Sequence, residues 1–131
     1  VVGLGAVLDF YRKNVDFGEL IEYEAMLCAQ FIAGIKTIPG VIIVGNSELL
    51  SRQGHVVSWY VEGVHAHDIA STLSGYGCTV RAGDHCAHPV SEVWNKRATV
   101  RVSFFMYTAP SDVEYLIDAV RKSIYAWRAI L

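Results

Sequence analysis

CTVRAGDHCAHPVSEVWNKRATVRVSFF, residues 78–105, holds two short β-branched runs, and how they are joined decides the fold. Side chains alternate faces along a strand. In residues 78–82, Thr79 and Arg81 point one way, and Cys78, Val80 and Ala82 the other. In residues 99–106, Val100, Val102 and Phe104 make the apolar face, and Thr99, Arg101 and Ser103 the polar one. The connection between the runs, residues 83–98, carries no clear helix. Parallel strands usually need a helical crossover, so antiparallel pairing is expected. Paired that way, Arg81 and Arg101 can share a face. Two neighbouring guanidiniums repel unless an anion joins them, and the arginine fork suits a carboxylate or a phosphate.

The rest of the chain fits around this pair. Residues 2–13 read as an apolar helix, and residues 18–37 as a longer one. There Leu20, Tyr23, Leu27, Phe31 and Ile35 recur at helical steps. Pro39-Gly40 ends it. Val41 to Val44 and His55 to Val61 read as two more strands, with Gly45-Asn46 a turn between them. His65 to Tyr76 returns to helical spacing, with Ile69, Ala70 and Leu73 inward, Asp68 in the first turn and Gly77 as the stop. From Pro110 onward, Val113, Leu116, Ile117, Val120, Ile124 and Trp127 share one face of a last helix. Few strands have a helix on both sides in this order. The fold class is therefore α+β, an antiparallel or mixed sheet packed by helices.

The 131 residues suit one domain with a proper core. A formal net charge of -2 gives no electrostatic reason to expect nucleic acid or an anionic membrane surface. No window approaches the ~20 apolar residues of a membrane span. Three cysteines, Cys28, Cys78 and Cys86, are too few and too odd for a disulfide framework and point to a reducing compartment. Cys28 lies beside an apolar stripe and reads as a buried hydrophobe. The chain opens without methionine on an apolar segment, as a piece cut from a longer protein would.

Residues 81–89, RAGDHCAHP, concentrate the chemistry. Gly83 frees the backbone where the third strand ends. Cys86 then falls on a loop carried by a sheet, beside an arginine and two histidines. Cationic surroundings favour the reactive thiolate. Two other readings stand beside this one. His85, Cys86 and His88 could be zinc ligands, although no CxxC-type pair accompanies them. Cys86 could also be an unimportant residue of an exposed loop. A Cys-His hydrolase would need a histidine aligned as base. His55, His65 and His67 fit structural roles, the latter two at a helix start. Trp59, Trp94 and Trp127 read as core or interface anchors, and Lys96-Arg97 as solvated loop.

RAGDHCAHP resembles the R-x-G-x-H-C-A-x-P signature of the group II, Suf-type cysteine desulfurases and selenocysteine lyases. The resemblance covers nearly the whole chain. The opening VVGLGAVLDFYRKN is similar to the family's I-GLGAAIDY helix. EGVHAHDIASTLSGYGCTVRAGDHCAHP resembles its G-x-H-x-H-D to H-C-A-x-P run, and ATVRVSFFMYTAPSDVEYLIDAV its A-x-x-R-x-S segment with the helix that follows. The spacing from Cys86 to Arg101 matches too. The resemblance implies that Cys86 takes sulfur from a cysteine substrate bound to pyridoxal 5'-phosphate, becoming a persulfide while alanine leaves. It implies that Arg101 binds the substrate carboxylate, that Arg81 supports the same pocket and that His85 lines it.

It further implies that this chain is the small C-terminal domain of a fold-type I transferase. The cofactor lysine would then lie upstream, with no cofactor-binding or metal-binding residue here. The parent would be a cytoplasmic homodimer passing sulfur from L-cysteine to a Suf-type acceptor protein for iron-sulfur cluster assembly. A selenocysteine lyase, another class-V aminotransferase-like enzyme, or a non-catalytic interaction domain of the same fold are the alternatives. Two positions depart from the family. Asp84 stands where relatives carry histidine or another polar residue and could oppose the thiolate. Thr108-Ala109 replaces Asn-Thr before the last helix, with Thr108 expected to cap.

Overall fold

The computed structural model describes residues 1–94 and 98–129, Val90 and Ser91 by their backbone only. The Lys96-Arg97 pair lies outside these residues. Among the described residues ten elements follow one another: α1 (Val2–Asn14), α2 (Phe17–Lys36), β1 (Val41–Ile43), α3 (Ser47–Gln53), β2 (Val56–Val61), α4 (Ala66–Gly75), β3 (Arg81–Gly83), α5 (His88–Val93), β4 (Thr99–Ser103) and α6 (Pro110–Arg128).

The strands form one sheet in the order β1-β2-β4-β3, every neighbouring pair antiparallel. Val57, Trp59, Val100 and Val102 alternate into the covered face, where α2, α4 and α6 pack. The helical stripes are the expected ones. Leu27, Phe31 and Ile35 of α2 meet Val113, Val120 and Ile124 of α6 in one apolar cluster, and Ile69 and Leu73 of α4 complete it. Phe31 and Phe104 sit edge to face, ring centroids 5.6 Å apart. Burial of this many large apolar side chains, each contributing about 1.5–3 kcal/mol, drives the fold. Cys28 lies fully inside the cluster, and so does Trp59. Trp127 is half-buried and its indole N–H donates to Thr72 Oγ1 (2.9 Å), while Trp94 is exposed.

Several expectations need correction. Every strand has a helix on each side in sequence, because α3 and α5 were not expected. The sheet is antiparallel all the same, since helices of seven and six residues are too short for parallel crossovers. Asn46 is not only a turn residue: its Oδ1 accepts from Glu48 and Leu49 N–H and starts α3. Ladder pairing of β3 begins at Arg81 rather than Cys78, and β4 ends at Ser103 rather than residue 106. The alternation nevertheless extends upstream, with Cys78, Val80 and Ala82 packed on the core. Thr108 does not cap α6. Asp112 Oδ2 accepts from the Ala109 N–H (2.8 Å) instead, half of a capping box, while Thr108 Oγ1 accepts from Phe105 N–H.

One helix stands apart. None of the residues of α1 is buried, although Val2, Leu4, Val7, Leu8 and Phe10 are apolar. No helix among the described residues is long and apolar enough to cross a membrane.

Candidate functional site

The site lies where β3 and β4 pair, on the sheet face opposite the core. Arg81 and Arg101 are directly opposed Cα partners, as the alternation requires, and Gly83 faces Thr99 one step further. Arg101 is half-buried between β3 and Ser58 of β2, and Arg81 is exposed. None of the ion pairs among the described residues involves either arginine. Like charges directly opposed on a sheet destabilise it. This pair therefore sits ready for an anion that the described residues do not supply.

The chain leaves β3 through Gly83, whose φ of 131° is open to glycine alone. A tight turn follows. The Ala87 N–H donates to the Asp84 carbonyl at 2.9 Å, and the two residues between, His85 and Cys86, both have left-handed φ, 57° and 61°. This is the pattern of a type I′ turn, which normally calls on glycine or asparagine. A left-handed backbone costs an L-residue about 1–2 kcal/mol, and such strain concentrates at functional sites.

The side chains are held from several directions. Asp84 Oδ1 accepts the Cys86 N–H (3.2 Å), and Asp84 Oδ2 pairs with Nδ1 of His88, the first residue of α5 (2.9 Å). The Arg81 guanidinium reaches Cys86 Sγ at 3.9 Å. His85 turns its Nε2 onto Thr99 Oγ1 (2.9 Å) and leaves its buried Nδ1 without a partner among the described residues. Burial first, then the nearby Arg101 charge, hold His85 below the ordinary histidine value. The Thr99 backbone and Asp84 oppose the shift, and Arg81 adds to it. Burial and the two neighbouring guanidiniums thus favour the neutral form of this imidazole.

The three cysteines separate clearly. Burial, reinforced by Glu24, pushes the Cys28 thiol up to about 11, and burial also raises Cys78. Cys86 is exposed and has a guanidinium beside it. The zinc reading of His85, Cys86 and His88 does not assemble, because His85 is bonded to Thr99 and His88 to Asp84. Among the described residues no group of three or more such side chains is arranged to hold a metal ion. His65 caps α4, its Nδ1 accepting from the His67 N–H (3.3 Å).

The structure brings together all four residues expected in the site: Cys86, Arg81, Arg101 and His85. Two contributors were missed. Thr99 holds His85, a contact that the register Gly83↔Thr99 makes possible. Asp84, read from sequence only as a charge opposing the thiolate, supports the turn.

The sequence pattern of the family described as aminotransferase class-V matches residues 1–116. The chain belongs to the class-V aminotransferase family. Its relatives within that family include a probable cysteine desulfurase of Streptomyces coelicolor, 31% identical over 91% of this chain and 28% of the relative. A second, probable cysteine desulfurase 2 of Mycobacterium leprae, is 36% identical over 95% of this chain and 29% of the relative. The crystal structure of the cysteine desulfurase CsdA from Escherichia coli superposes with a TM-score of 0.86 at 26% identity, covering 95% of this chain and 30% of that one. The apo cysteine desulfurase of Thermococcus onnurineus NA1 gives 0.81 at 30% identity, over 88% of this chain and 28% of that one. The chain thus spans under a third of the length of the curated class-V relatives it matches.

Proposed function

We propose that this chain is the small C-terminal domain of a longer, pyridoxal-phosphate-dependent cysteine desulfurase of the group II, Suf-type branch, with Cys86 as sulfur acceptor. The observation that carries the reading is the cross-strand pair Arg81↔Arg101 with Cys86 Sγ 3.9 Å from the Arg81 guanidinium. An amino-acid carboxylate answers the paired cations, and the thiol then stands beside the bound substrate. Arg101, half-buried and lacking a carboxylate partner among the described residues, takes the substrate carboxylate. Arg81 supports that pocket and keeps Cys86 on it, and His85 lines it.

The residues present fit the substrate end of the reaction rather than the cofactor. The described lysines, Lys13, Lys36 and Lys122, lie on α1, α2 and α6; Lys36 is bonded to Ser47, and Lys122 to Asp118. The lysine that would hold the cofactor belongs to the remainder of the longer protein. Bound there, pyridoxal phosphate would draw electron density from the substrate and loosen its carbon–sulfur bond. Cys86 forms a sulfur–sulfur bond to the departing sulfur. The electron pair of the broken bond stays with the carbon, which takes up a proton. The balance is Cys86 thiol plus L-cysteine giving Cys86 persulfide plus L-alanine. An exposed persulfide can pass its sulfur to a Suf-type acceptor protein. A reducing cytoplasm fits three unpaired cysteines, and the resemblance to the family implies a homodimeric parent.

The test is alanine formation by the whole protein with its cofactor, in wild type and Cys86→Ala. Loss of alanine release and of a persulfide at Cys86 supports the reading. Undiminished turnover in the variant would assign the chain to a class-V enzyme that has no use for this thiol. Selenocysteine offered in competition separates desulfurase from selenocysteine lyase.

A further inference from the structure

We infer that Asp84 is a positioning residue whose short carboxylate arm holds the His85–Cys86 turn in its left-handed form and so keeps the Cys86 sulfur on Arg81. The inference deepens the reading of Cys86 as sulfur acceptor and rests on it.

The turn has two left-handed residues and no glycine between Asp84 and Ala87. Left alone, each would relax toward the right-handed or extended regions that L-residues prefer. Asp84 supplies both acceptors that oppose this relaxation. Its carbonyl takes the Ala87 N–H (2.9 Å), and its Oδ1 takes the Cys86 N–H (3.2 Å). His88 holds the other oxygen at 2.9 Å, so the carboxylate is tied from both sides of the thiol. Changing the sign of φ at Cys86 re-aims its side chain. The 3.9 Å contact from Arg81 to Sγ therefore depends on the turn staying left-handed.

Charge alone does not explain an aspartate here, because a carboxylate beside a thiol opposes the thiolate. The arm length does. Aspartate and asparagine reach the backbone N–H two residues on, and glutamate is one carbon too long. That contrast separates the two roles.

The experiment measures the rate of iodoacetamide alkylation at Cys86 in the whole protein at neutral pH. The rate is quantified on the Cys86 peptide by mass spectrometry, for wild type, Asp84→Asn, Asp84→Glu and Asp84→Ala. Asp84→Asn keeps the arm and loses the charge, and it should react at least as fast as wild type. Asp84→Glu keeps the charge and loses the arm, and it should fall with Asp84→Ala by about fivefold, the weight of one cation about 4 Å away in water. Asp84→Glu reacting as fast as wild type overturns the inference, because charge acting alone predicts that result, and so does any pattern in which Asn does not exceed Glu. Buried Cys28 is the folding control, since it stays unmodified wherever the core is intact. If Asp84→Ala does not fold, the comparison of Asp84→Glu with wild type still decides. The outcome is independent of turnover. Loss of the desulfurase reading through Cys86→Ala would leave the alkylation contrast standing, and the reverse also holds.

Discussion

Replacing Arg101 by glutamine should make the protein more stable and less active at once. Arg101 faces Arg81 directly across β3 and β4, and no ion pair among the described residues includes either. Opposed cross-strand charges are worth roughly 0.2–1 kcal/mol. Because Arg81 is exposed, half a kcal/mol is the reasonable share, about 2 °C in melting temperature for a domain of this size. Added salt should raise the wild-type midpoint and leave Arg101→Gln nearly unmoved, since screening removes only the wild-type repulsion. Activity should move the other way. A hydrogen bond to a charged partner contributes about 1.5–3 kcal/mol, so on the proposed desulfurase reaction kcat/KM of the whole protein for cysteine should fall roughly ten- to hundredfold. Arg101→Lys completes the comparison. It keeps the charge and loses the fork, so its midpoint and salt response should match wild type while kcat/KM still drops. Thermal unfolding at low and high salt, followed by steady-state kinetics, covers all three variants. A lower midpoint for Arg101→Gln with an unchanged salt response would refute the reasoning. It would mean that Arg101 contributes to the fold through contacts of its stem rather than opposing it through its charge.

Other outcomes follow from the same geometry. Gly34 of α2 lies against Ile117 of α6, and a Cβ there would meet Ile117 Cγ2 at 2.9 Å. Overpacking should outweigh the gain in helix propensity, so Gly34→Ala should lose about 1 kcal/mol in urea unfolding. His85 is held below the ordinary histidine value of 6.5, so the unfolded chain binds its proton first on acidification. Stability should therefore fall as pH drops through 6.5 and level off below the folded-state value. His85→Gln should flatten that part of a stability-against-pH series. Cys28, pushed up to about 11 by burial, should resist alkylation at neutral pH until the protein is unfolded, whereas Cys86 reacts in the native state.

The sheet's core and the arginine face were legible because a period of two leaves no freedom. Once Val100 and Val102 go inward, Arg101 must go outward, and a connection without a long helix sets the strands antiparallel. The short helices were not legible. α3 and α5 make barely two turns, too little for apolar periodicity to register, and only Asn46 followed by Glu48 signalled a start. The turn at Cys86 was hidden for a different reason. Left-handed backbone is normally announced by glycine or asparagine, and His-Cys announces nothing. Thr99 could be placed on the polar face, but its bond to His85 depends on how the loop folds back. The apolar character of α1 was plain, yet periodicity cannot say what covers a helix.

Among the described residues, β3 is an edge strand of three residues, hydrogen-bonded to β4 alone. Trp59 and Val100, by contrast, sit on strands paired on both sides. Opening the β3 edge breaks a few ladder bonds and withdraws partly buried Ala82 from the core while the fully buried residues stay packed, so it is a sub-global event, cheaper than unfolding. Amide hydrogens at residues 81–83 should exchange well before those of β2. The thiol-bearing segment and the scaffold that positions it are therefore separate cooperative units. Sequence change in the first can alter chemistry without drawing on the stability of the second.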